Sequence, residues 1–421
     1  RDLWEKLDIS YNDFIRTTEE RHIRVVQRAL EILHGKKDIY EGKYEGWYCM
    51  PCETFWLESQ ANDQACPDCK RPLEKISETN YFFKLSAYQE WLLDYIAKHP
   101  DFIRPQKRYN EVFSFLKLNR LDDLCISRPI ERLEWGIPLP FSPGHVTYVW
   151  FDALINYISA VGHFDKDNRY ISKWWPAELH LIGKDILRQH AVYWPIMLKA
   201  LEIELPRTIF AHGWWMLGDN KMSKSKGNVV NPIDVVNKFG IDTYRYFLLR
   251  DVPFGLDGNF SEAAIIKRFN SDLANDLGNL VYRTLTMAEK YFQGEIPDEG
   301  TPDEQGKNIY ADINALAKDI EPFLTAASDF NFSSALERIW GSIGMANKYV
   351  EQAKPWNLAK ENKTAQLKAF IRLLAEAIRK VANEIYPFMP DAAKSIKEQI
   401  GGSKINKTKP LFPRIELTTD K

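Results

Sequence analysis

The chain has 421 residues, of which 45% are hydrophobic and 27% are charged, and its formal net charge is −2. A chain of this length accommodates several domains that each bury a core, and its balanced charge excludes a protein that binds polyanions over its whole surface. Apolar runs stay shorter than the roughly 18 residues that span a bilayer, and the first residues lack a secretory signal. We therefore expect a cytoplasmic protein that does not enter membranes.

The first elements predicted along the chain are a helix and a small cysteine-containing module. Apolar residues recur at helical spacing over residues 13–37, which predicts an amphipathic helix. Residues 44–74 change to short aromatic strands and contain four of the five cysteines. This change in composition indicates an inserted module.

The four cysteines form two C-x-x-C pairs, Cys49 with Cys52 and Cys66 with Cys69, and thirteen residues separate the pairs. Two tight turns at this spacing present four thiolates tetrahedrally to one Zn²⁺, and a metal with four protein ligands has a structural role. Four reduced thiols or two disulfides are the alternatives. The fifth cysteine, Cys125, is expected to be a buried, inert thiol.

Strand and helix patterns alternate over residues 146–212, which is typical of a parallel sheet covered by helices. The β-rich runs VTYVWF, ELHLIG and RTIFAH alternate with helical patterns over residues 152–161 and 185–200. Asn231 and Pro232 then supply an N-cap and a first-turn proline for a helix that ends near Gly240.

Strand patterns become rare after residue 262, and long amphipathic patterns predict a helical bundle. These patterns cover residues 261–292, 308–327, 331–352 and 364–386. The basic, proline-containing segment 404–414 is expected to pack back as an extended strap.

The segment KMSKSKG, residues 221–227, lies between turn residues and a capped helix, which predicts an exposed loop. Two or three ammonium groups beside small hydroxyls can fold over a triphosphate and stabilise the charge that grows as pyrophosphate leaves. A solvated lysine-rich turn is the alternative.

Several phrases of the sequence together resemble one enzyme family. They are YVWFDALINY, HLIGKDILRQH, AHGWW, KMSKSKGN, GNLVYR and KPWNLAK, in addition to the four-cysteine module. KMSKS alone is typical of all class I aminoacyl-tRNA synthetases. The whole set resembles the methionyl-tRNA synthetases, from near Arg1 to about Glu416.

The resemblance implies an α/β fold: an incomplete class I Rossmann-like parallel sheet with a zinc-knuckle insert, followed by an all-α anticodon-binding bundle. The implied domains are a connective insert with the zinc knuckle (1–145), the second half of the Rossmann-like catalytic domain (146–212), the KMSKS loop with a stem-contact region (213–261) and the anticodon-binding domain (262–421). The implied reaction activates L-methionine with ATP and Mg²⁺ to methionyl-adenylate, releases pyrophosphate, and transfers the acyl group to tRNA(Met).

The resemblance also implies site residues, each of which matches a position in the quoted phrases. For catalysis and ATP binding these are Lys221, Met222, Ser223, Lys224 and Ser225, of which the two lysines are catalytic, and Gly183 and Asp185 at the ribose. For the methionine pocket they are Trp150, Ala153, Leu154, Tyr157, Ile186 and His190. For the anticodon they are Asn279, Arg283 and Trp356. Structural Zn²⁺ is implied at Cys49, Cys52, Cys66 and Cys69.

The residue patterns alone allow simpler interpretations of these positions. Asp185 is also suited to the first turn of a helix, where its charge favours the dipole. The aromatic residues and His190 of the pocket are also compatible with an ordinary core, and Asn279 with Arg283 is compatible with a solvated helix face. The resemblance, and not the spacing, favours the functional interpretation.

One expected feature of class I synthetases is missing from the sequence. The sequence contains neither a His-Ile-Gly-His type phrase nor the strands of the first half of the nucleotide fold, and comparison with the family's length places them before Arg1. We therefore expect a fragment that gives negligible activity without the N-terminal segment. We also expect a monomer, because a chain that ends near residue 421 leaves no room after the bundle for a dimerisation module. A class I synthetase for another amino acid and a non-catalytic tRNA-binding remnant are the alternative functions.

Overall fold

The computed structural model describes residues 1–50, 54–56, 65–67, 70–218, 220–221, 229–407 and 409–416. The chain divides into two compact units. One contains Tyr11–Ala211, and the other contains Arg1–Ser10 together with His212–Lys421. Within the described residues, no helix is both long enough and apolar enough to span a bilayer.

The Tyr11–Ala211 unit combines helices with short strands. Helix α1 (Asp2–Lys6) precedes this unit and belongs to the other one. The helices of this unit are α2 (Glu20–Gly35), α3 (Gln89–Lys98), α4 (Gln106–Leu118), α5 (Val149–Ser159) and α6 (Trp194–Ala200). Helix α2 confirms the predicted amphipathic helix and begins seven residues later than the pattern, at Glu20.

The strands of this unit form several small sheets. In chain order they are β1 (Ile39–Cys49), β2 (Thr54–Trp56), β3 (Glu74–Phe83), β4 (Ile103–Arg104), β5 (Leu124–Cys125), β6 (Ser127–Pro129), β7 (Pro138–Leu139), β8 (Ser142–Thr147), β9 (Gly162–Phe164), β10 (Tyr170–Ser172), β11 (Leu179–Gly183) and β12 (Thr208–His212). Their orders are β2-β1-β3-β5, β6-β8-β7, β10-β9 and β11-β12-β4. Strands β12 and β4 are parallel, and Ile209 lies opposite Ile103.

The strand predicted over VTYVWF is wrong in its second half. Strand β8 ends at Thr147, runs antiparallel to β6 and β7, and so lies outside the sheet that contains β11 and β12. Helix α5 begins at Val149, after Tyr148 in an extended conformation. Phe151, Leu154 and later residues of α5 recur at helical spacing and are buried. Their packing therefore overrides the β-propensity of Val, Trp and Phe.

The second unit is mainly helical, as predicted. Its helices are α7 (Pro232–Phe239), α8 (Ile241–Arg250), α9 (Glu262–Arg268), α10 (Asn279–Phe292), α11 (Glu304–Ile320), α12 (Phe332–Ala353), α13 (Pro355–Lys360), α14 (Thr364–Ile385) and α15 (Pro390–Ile400). A π-helical segment, Phe269–Gly278, joins α9 to α10. A small sheet contains β13 (Trp215–Leu217), β14 (Asn220–Lys221) and β15 (Gly258–Asn259).

Two predicted helix starts in this unit are confirmed by their caps. The side chain of Asn231 accepts a hydrogen bond from the backbone N–H of Ile233, immediately before Pro232 in α7. Asn331 accepts in the same way from Ser334 and caps α12. Such side-chain acceptors satisfy backbone N–H groups that have no partner within the helix.

The C-terminal segment packs back on the bundle, as the sequence predicted. Asn270 exchanges two hydrogen bonds with the backbone of Ile415, and the ring of Phe412 meets that of Phe269 edge to face at 5.8 Å. Earlier in the segment, the backbone N–H of Ile405 donates to the carbonyl of Gly294. The strap therefore contacts the π-helical segment between α9 and α10 and the residue Gly294 just beyond the end of α10.

Candidate functional site

Helix α5 carries four of the six residues predicted to line a methionine pocket. Ala153, Tyr157 and Trp150 are only partly buried, which leaves surface available to a ligand. Leu154 is 1% exposed and belongs to the hydrophobic core of this unit. The structure thus leaves three of these side chains accessible and uses the fourth mainly for packing.

A hydrogen-bonded chain connects Tyr157 with the other two predicted pocket residues. The Nε2 atom of His190 lies 2.7 Å from the Tyr157 hydroxyl, and its Nδ1 atom lies 2.8 Å from the carbonyl oxygen of Ile186. Because a carbonyl only accepts, Nδ1 carries the proton and Nε2 accepts from the tyrosine. The resemblance placed Ile186, His190 and Tyr157 in one pocket, and the structure joins the three through His190.

A π-helical turn, Gln189–Tyr193, contains His190 and leads directly into α6. Single π-helical turns inside helices are common at functional sites because they displace the side chains of one turn. The sequence predicted a continuous helix here, since no residue pattern marks a π-helical turn.

Two aromatic residues outside the predicted set complete the wall behind Tyr157. The ring centroids of His180 and Tyr157 are 4.0 Å apart, and Trp194 Nε1 donates a hydrogen bond to His180 Nε2 at 3.2 Å. Residues 186, 190 and 194 are spaced by four, so Trp194 lies on the same helical stripe as Ile186 and His190, which the family resemblance placed in the pocket. That spacing was the available signal for Trp194. His180 lay in a predicted strand and showed none.

Burial keeps this aromatic wall uncharged. It lowers the pKa of His190, and it lowers the pKa of His180 to about 3, with a smaller contribution from the nearby His190. Burial also raises the pKa of Tyr157 to about 12. The cluster is therefore neutral at pH 7 and suits an apolar, polarisable side chain better than a charged one.

The predicted ribose residues lie at the end of strand β11. Gly183 is the last residue of this strand, and Asp185 follows in a short 3₁₀ turn, Lys184–Ile186, with its side chain exposed. The carboxyl ends of strands in α/β sheets are the usual place for nucleotides. Asp185 is thus presented at an edge where its carboxylate could accept from hydroxyl groups.

Most of the KMSKS prediction lies outside the described residues. Met222, Ser223, Lys224 and Ser225 are not described, and of Lys221 only the backbone is. Strand β14 ends at Lys221 and pairs antiparallel with β13. The described chain resumes just before the Asn231 cap of α7.

The described part of the cysteine module contains Cys49 and Cys66, and both are fully buried in one small cluster with Leu73. Cys52 and Cys69 lie outside the described residues. Among the residues that are described, no group of three or more His, Cys, Asp or Glu side chains could hold a metal ion.

The turn after Cys66 is tight. The N–H of Cys66 donates to the carbonyl of Arg71, and the N–H of Lys70 donates to the carbonyl of Cys66. Lys70 adopts a left-handed conformation with φ of 63°. A buried thiol that opens a turn of this shape is compatible with a four-thiolate metal site.

The fifth cysteine is partly buried, not fully buried as expected. Arg128 Nη1 lies 3.1 Å from the sulfur of Cys125. Burial raises the pKa of this thiol, and Arg128 partly offsets the effect. A raised pKa reduces the thiolate fraction, which agrees with the expected low reactivity.

The residues predicted to read an anticodon lie on helices α10 and α13 of the helical unit. Asn279 is the first residue of α10, and Arg283 one turn later pairs with Glu351 of α12 at 2.6 Å. Five residues after Glu351, Trp356 lies in the first turn of α13 with 40% of its surface exposed. Asn279 also lines a surface cavity of about 820 Å³ with Lys267 and other polar residues.

Comparisons with known proteins identify the family. Residues 1–285 match the family model of class I (M) tRNA synthetases, and residues 296–412 match that of the anticodon binding domain of methionyl tRNA ligase. The methionine–tRNA ligase of Caldanaerobacter subterraneus subsp. tengcongensis is 47% identical over 436 residues, an alignment that covers 99% of this chain and 67% of the relative. That of Fusobacterium nucleatum is 48% identical and is covered to 68%.

The chain belongs to the methionyl-tRNA synthetase family. A crystal structure of Mycobacterium tuberculosis methionyl-tRNA synthetase bound by methionyl-adenylate matches with a TM-score of 0.89 and 38% identity, over 98% of this chain and 85% of that one. Membership confirms the predicted enzyme class, an aminoacyl-tRNA synthetase that joins methionine to tRNA with ATP. It also rules out a synthetase for another amino acid.

Proposed function

We propose that the pocket in front of Tyr157 binds the methionine side chain during adenylate formation. The observation that carries the proposal is the Ile186–His190–Tyr157 chain of hydrogen bonds, which fixes the phenol ring and its hydroxyl in one position. His180 and His190, behind the phenol ring, are neutral, so these walls of the pocket carry no charge. An apolar cavity with aromatic walls favours a thioether over a polar side chain of equal size.

We assign the nucleotide to the adjoining strand edge. Asp185 would accept hydrogen bonds from the two ribose hydroxyls, and Gly183 lets the ribose approach the backbone closely because it has no Cβ. The reaction requires the methionine carboxylate to meet the α-phosphate, so adjacent sites for the two substrates contribute alignment as well as binding. Lys221 and Lys224 are proposed to neutralise the departing pyrophosphate, on the strength of the KMSKS phrase alone.

Pyrophosphate exchange by the full-length enzyme tests the methionine pocket. Replacing Tyr157 by Phe leaves the buried His190 Nε2 without its donor, which is expected to raise the KM for methionine about tenfold and leave the KM for ATP within about twofold. A Trp174→Ala variant is the control, because Trp174 is 71% exposed and belongs to no proposed site. An unchanged methionine KM in Tyr157→Phe would refute the assignment.

We propose a structural Zn²⁺ at the cysteine module, held by Cys49, Cys52, Cys66 and Cys69. The two buried thiols and the tight turn after Cys66 support it. A metal with four thiolate ligands would link the end of β1 to the turn at residues 66–71. Such a metal would have no open position for substrate. Metal analysis is expected to find about one zinc per chain in the wild type and a large loss in Cys49→Ser. Equal zinc content in both proteins would exclude the site.

We assign anticodon recognition to Asn279, Arg283 and Trp356. Amide and guanidinium groups can read base edges, and an exposed tryptophan can stack on an unpaired base. The ion pair of Arg283 with Glu351, five residues before the exposed Trp356, supports a single binding surface. The cytoplasmic location and the monomeric state stay predictions.

A further inference from the structure

His22 connects the first turn of α2 to helix α5, which carries most of the proposed methionine pocket. Its imidazole is fully buried. The Nε2 atom lies 2.6 Å from Asp152 Oδ1, and the Nδ1 atom lies 2.7 Å from Ser159 Oγ. Asp152 is in the first turn of α5 and Ser159 is its last residue. One ring therefore holds the helix near both of its ends.

The bonded face of α5 lies opposite the pocket face. Asp152 and Ser159 are seven residues apart, which is about 700° or nearly two full turns, so both point toward α2. Tyr157 is five residues from Asp152 and lies about 140° away around the helix axis, and Trp150 lies about 160° away. His22 thus contacts the back of the helix whose front carries Tyr157.

The donors and acceptors of this contact are complementary. The carboxylate of Asp152 only accepts, so Nε2 carries a proton and donates it. The hydroxyl of Ser159 can donate to Nδ1 or to the carbonyl of Asn156, which lies 3.3 Å from its oxygen. Val25, Val26 and Ala29 follow His22 on the buried face of α2, and these apolar side chains cannot replace the imidazole as a hydrogen-bond partner of Asp152.

We propose that His22 is a positioning residue for methionine activation, which acts by fixing the rotation and height of α5. The proposal rests on the assignment of the methionine pocket to the front of α5. A small displacement of this helix moves Trp150, Ala153 and Tyr157 together, and misplacement of reacting groups by about 1 Å can reduce a rate by about a hundredfold. The ATP ribose site on β11 contains no residue of α5, so its affinity is expected to change little.

Three substitutions of His22 separate a positioning role from simple packing. Phe keeps the ring volume and removes both hydrogen bonds. Gln places an amide N–H near the position of Nε2 and can keep the bond to Asp152, whereas Asn places a polar group near Nδ1 and can keep the bond to Ser159. His99→Phe is the matched control, because His99 is an exposed histidine of the same unit whose ring bonds to the carbonyl of Tyr95, one turn earlier in the chain.

The readout is pyrophosphate exchange by the full-length enzyme, with the KM measured separately for methionine and for ATP. We expect His22→Phe to raise the methionine KM about tenfold or more, with the ATP KM within about twofold, and His22→Gln to recover most of the loss. If His22→Phe does not fold, Ser159→Ala removes one of the two bonds and is expected to raise the methionine KM about threefold.

Two results would overturn the proposal. One is an unchanged methionine KM in a folded His22→Phe enzyme, or in Ser159→Ala where the Phe variant does not fold. The other is an equal rise of both KM values that Gln does not rescue, which indicates general loss of structure. Tyr157→Phe, measured in parallel, distinguishes the failure of this inference from failure of the pocket assignment. A normal Tyr157→Phe enzyme refutes the pocket, whereas a shifted Tyr157→Phe with a normal His22→Phe refutes only the role of His22.

Discussion

The depressed pKa of His180 has a consequence for stability that can be measured. Burial lowers this pKa to about 3, and the indole of Trp194 donates to the unprotonated Nε2 atom. Protonation would remove that acceptor and place a charge among aromatic rings. Because the unfolded histidine titrates near its usual pKa of about 6.5, unfolding takes up a proton below that pH. The stability is therefore complete above about pH 6.5 and is lost as the pH falls toward 3.

Replacing His180 by Gln is expected to remove this dependence. Glutamine keeps a neutral acceptor for the Trp194 indole and cannot take up the proton. Between about pH 6 and pH 4 the wild type should lose up to about 1.4 kcal/mol of unfolding free energy per pH unit more than the variant. Urea unfolding at several pH values measures the difference. Parallel pH dependences for the two proteins would show that His180 is not buried in its neutral form.

At the level of single residues, the sequence predicted which polar and aromatic side chains lie together only where their spacing or a family phrase indicated it. Tyr157, Ile186 and His190 were predicted together, and the structure joins them by hydrogen bonds. His22 lies 130 residues before its partner Asp152. No local pattern connects two such distant positions, because only the folded chain brings α2 against α5.

Two residues of α8 hold the loop between α14 and α15. The carboxylate of Asp242 accepts from the N–H of Ala392 at 2.5 Å, at the start of α15. The guanidinium of Arg245 donates to the carbonyls of Pro387 and Phe388 and to that of Leu7. A carboxylate at a helix N-terminus and an arginine on free carbonyls both satisfy backbone groups that have no partner within the helices.

The Asp242 contact is expected to stabilise α15 from outside its own sequence. Asp242→Ala leaves the N–H of Ala392 buried without an acceptor and should cost about 1–2 kcal/mol. Asp242→Asn keeps an acceptor and should retain most of the stability, since burial already raises the pKa of Asp242 and thus penalises its charge. Hydrogen exchange in the first turns of α15 measures the effect locally.

The matched control for this contact is Asp391→Ala. Asp391 lies in the first turn of the same helix, but its side chain is 66% exposed. Its loss is expected to change stability by less than about 0.5 kcal/mol. If both substitutions accelerated exchange in α15 equally, the general charge at the helix start, and not the buried contact, would be the cause.

At the level of elements, helices with strong caps and long periodic patterns were predictable and short elements were not. The apolar spacing over residues 331–352 predicted α12 almost to its ends. Strand β4 has only two residues and pairs with β12, which lies about a hundred residues later. The boundary between β8 and α5 was misplaced because tertiary packing decided whether VWF is strand or helix.

Both predicted recognition sites lie beside π-helical segments. One contains His190, and the other, Phe269–Gly278, ends immediately before Asn279. A π-helical segment rotates all later side chains around the helix axis, relative to their positions in a continuous α-helix. Sequence spacing could therefore place residues correctly within each helix but not relate the residues before such a segment to those after it.

On the scale of the whole molecule, the residues proposed to bind methionine and the ribose lie in a different compact unit from those proposed to read the anticodon. The proposed methionine and ribose residues lie in Tyr11–Ala211, whereas the proposed anticodon residues lie in the unit that contains His212–Lys421. Each unit has its own hydrophobic core. A change that affects only anticodon binding should therefore leave adenylate formation intact, and measuring both activities tests this expectation.

Trp356→Ala is expected to make that separation visible. Loss of one stacked base costs about 1–3 kcal/mol, which corresponds to about 5- to 150-fold in kcat/KM for tRNA. Methionine-dependent pyrophosphate exchange needs no tRNA and should stay within about twofold of the wild type, because Trp356 is half-exposed and its removal opens no large cavity. Aminoacylation and exchange, measured on the same enzyme preparation, give the two quantities. Trp174→Ala serves as the control for an exposed tryptophan, and a matching fall of both activities in Trp356→Ala would mean that the residue supports the fold and does not read the anticodon.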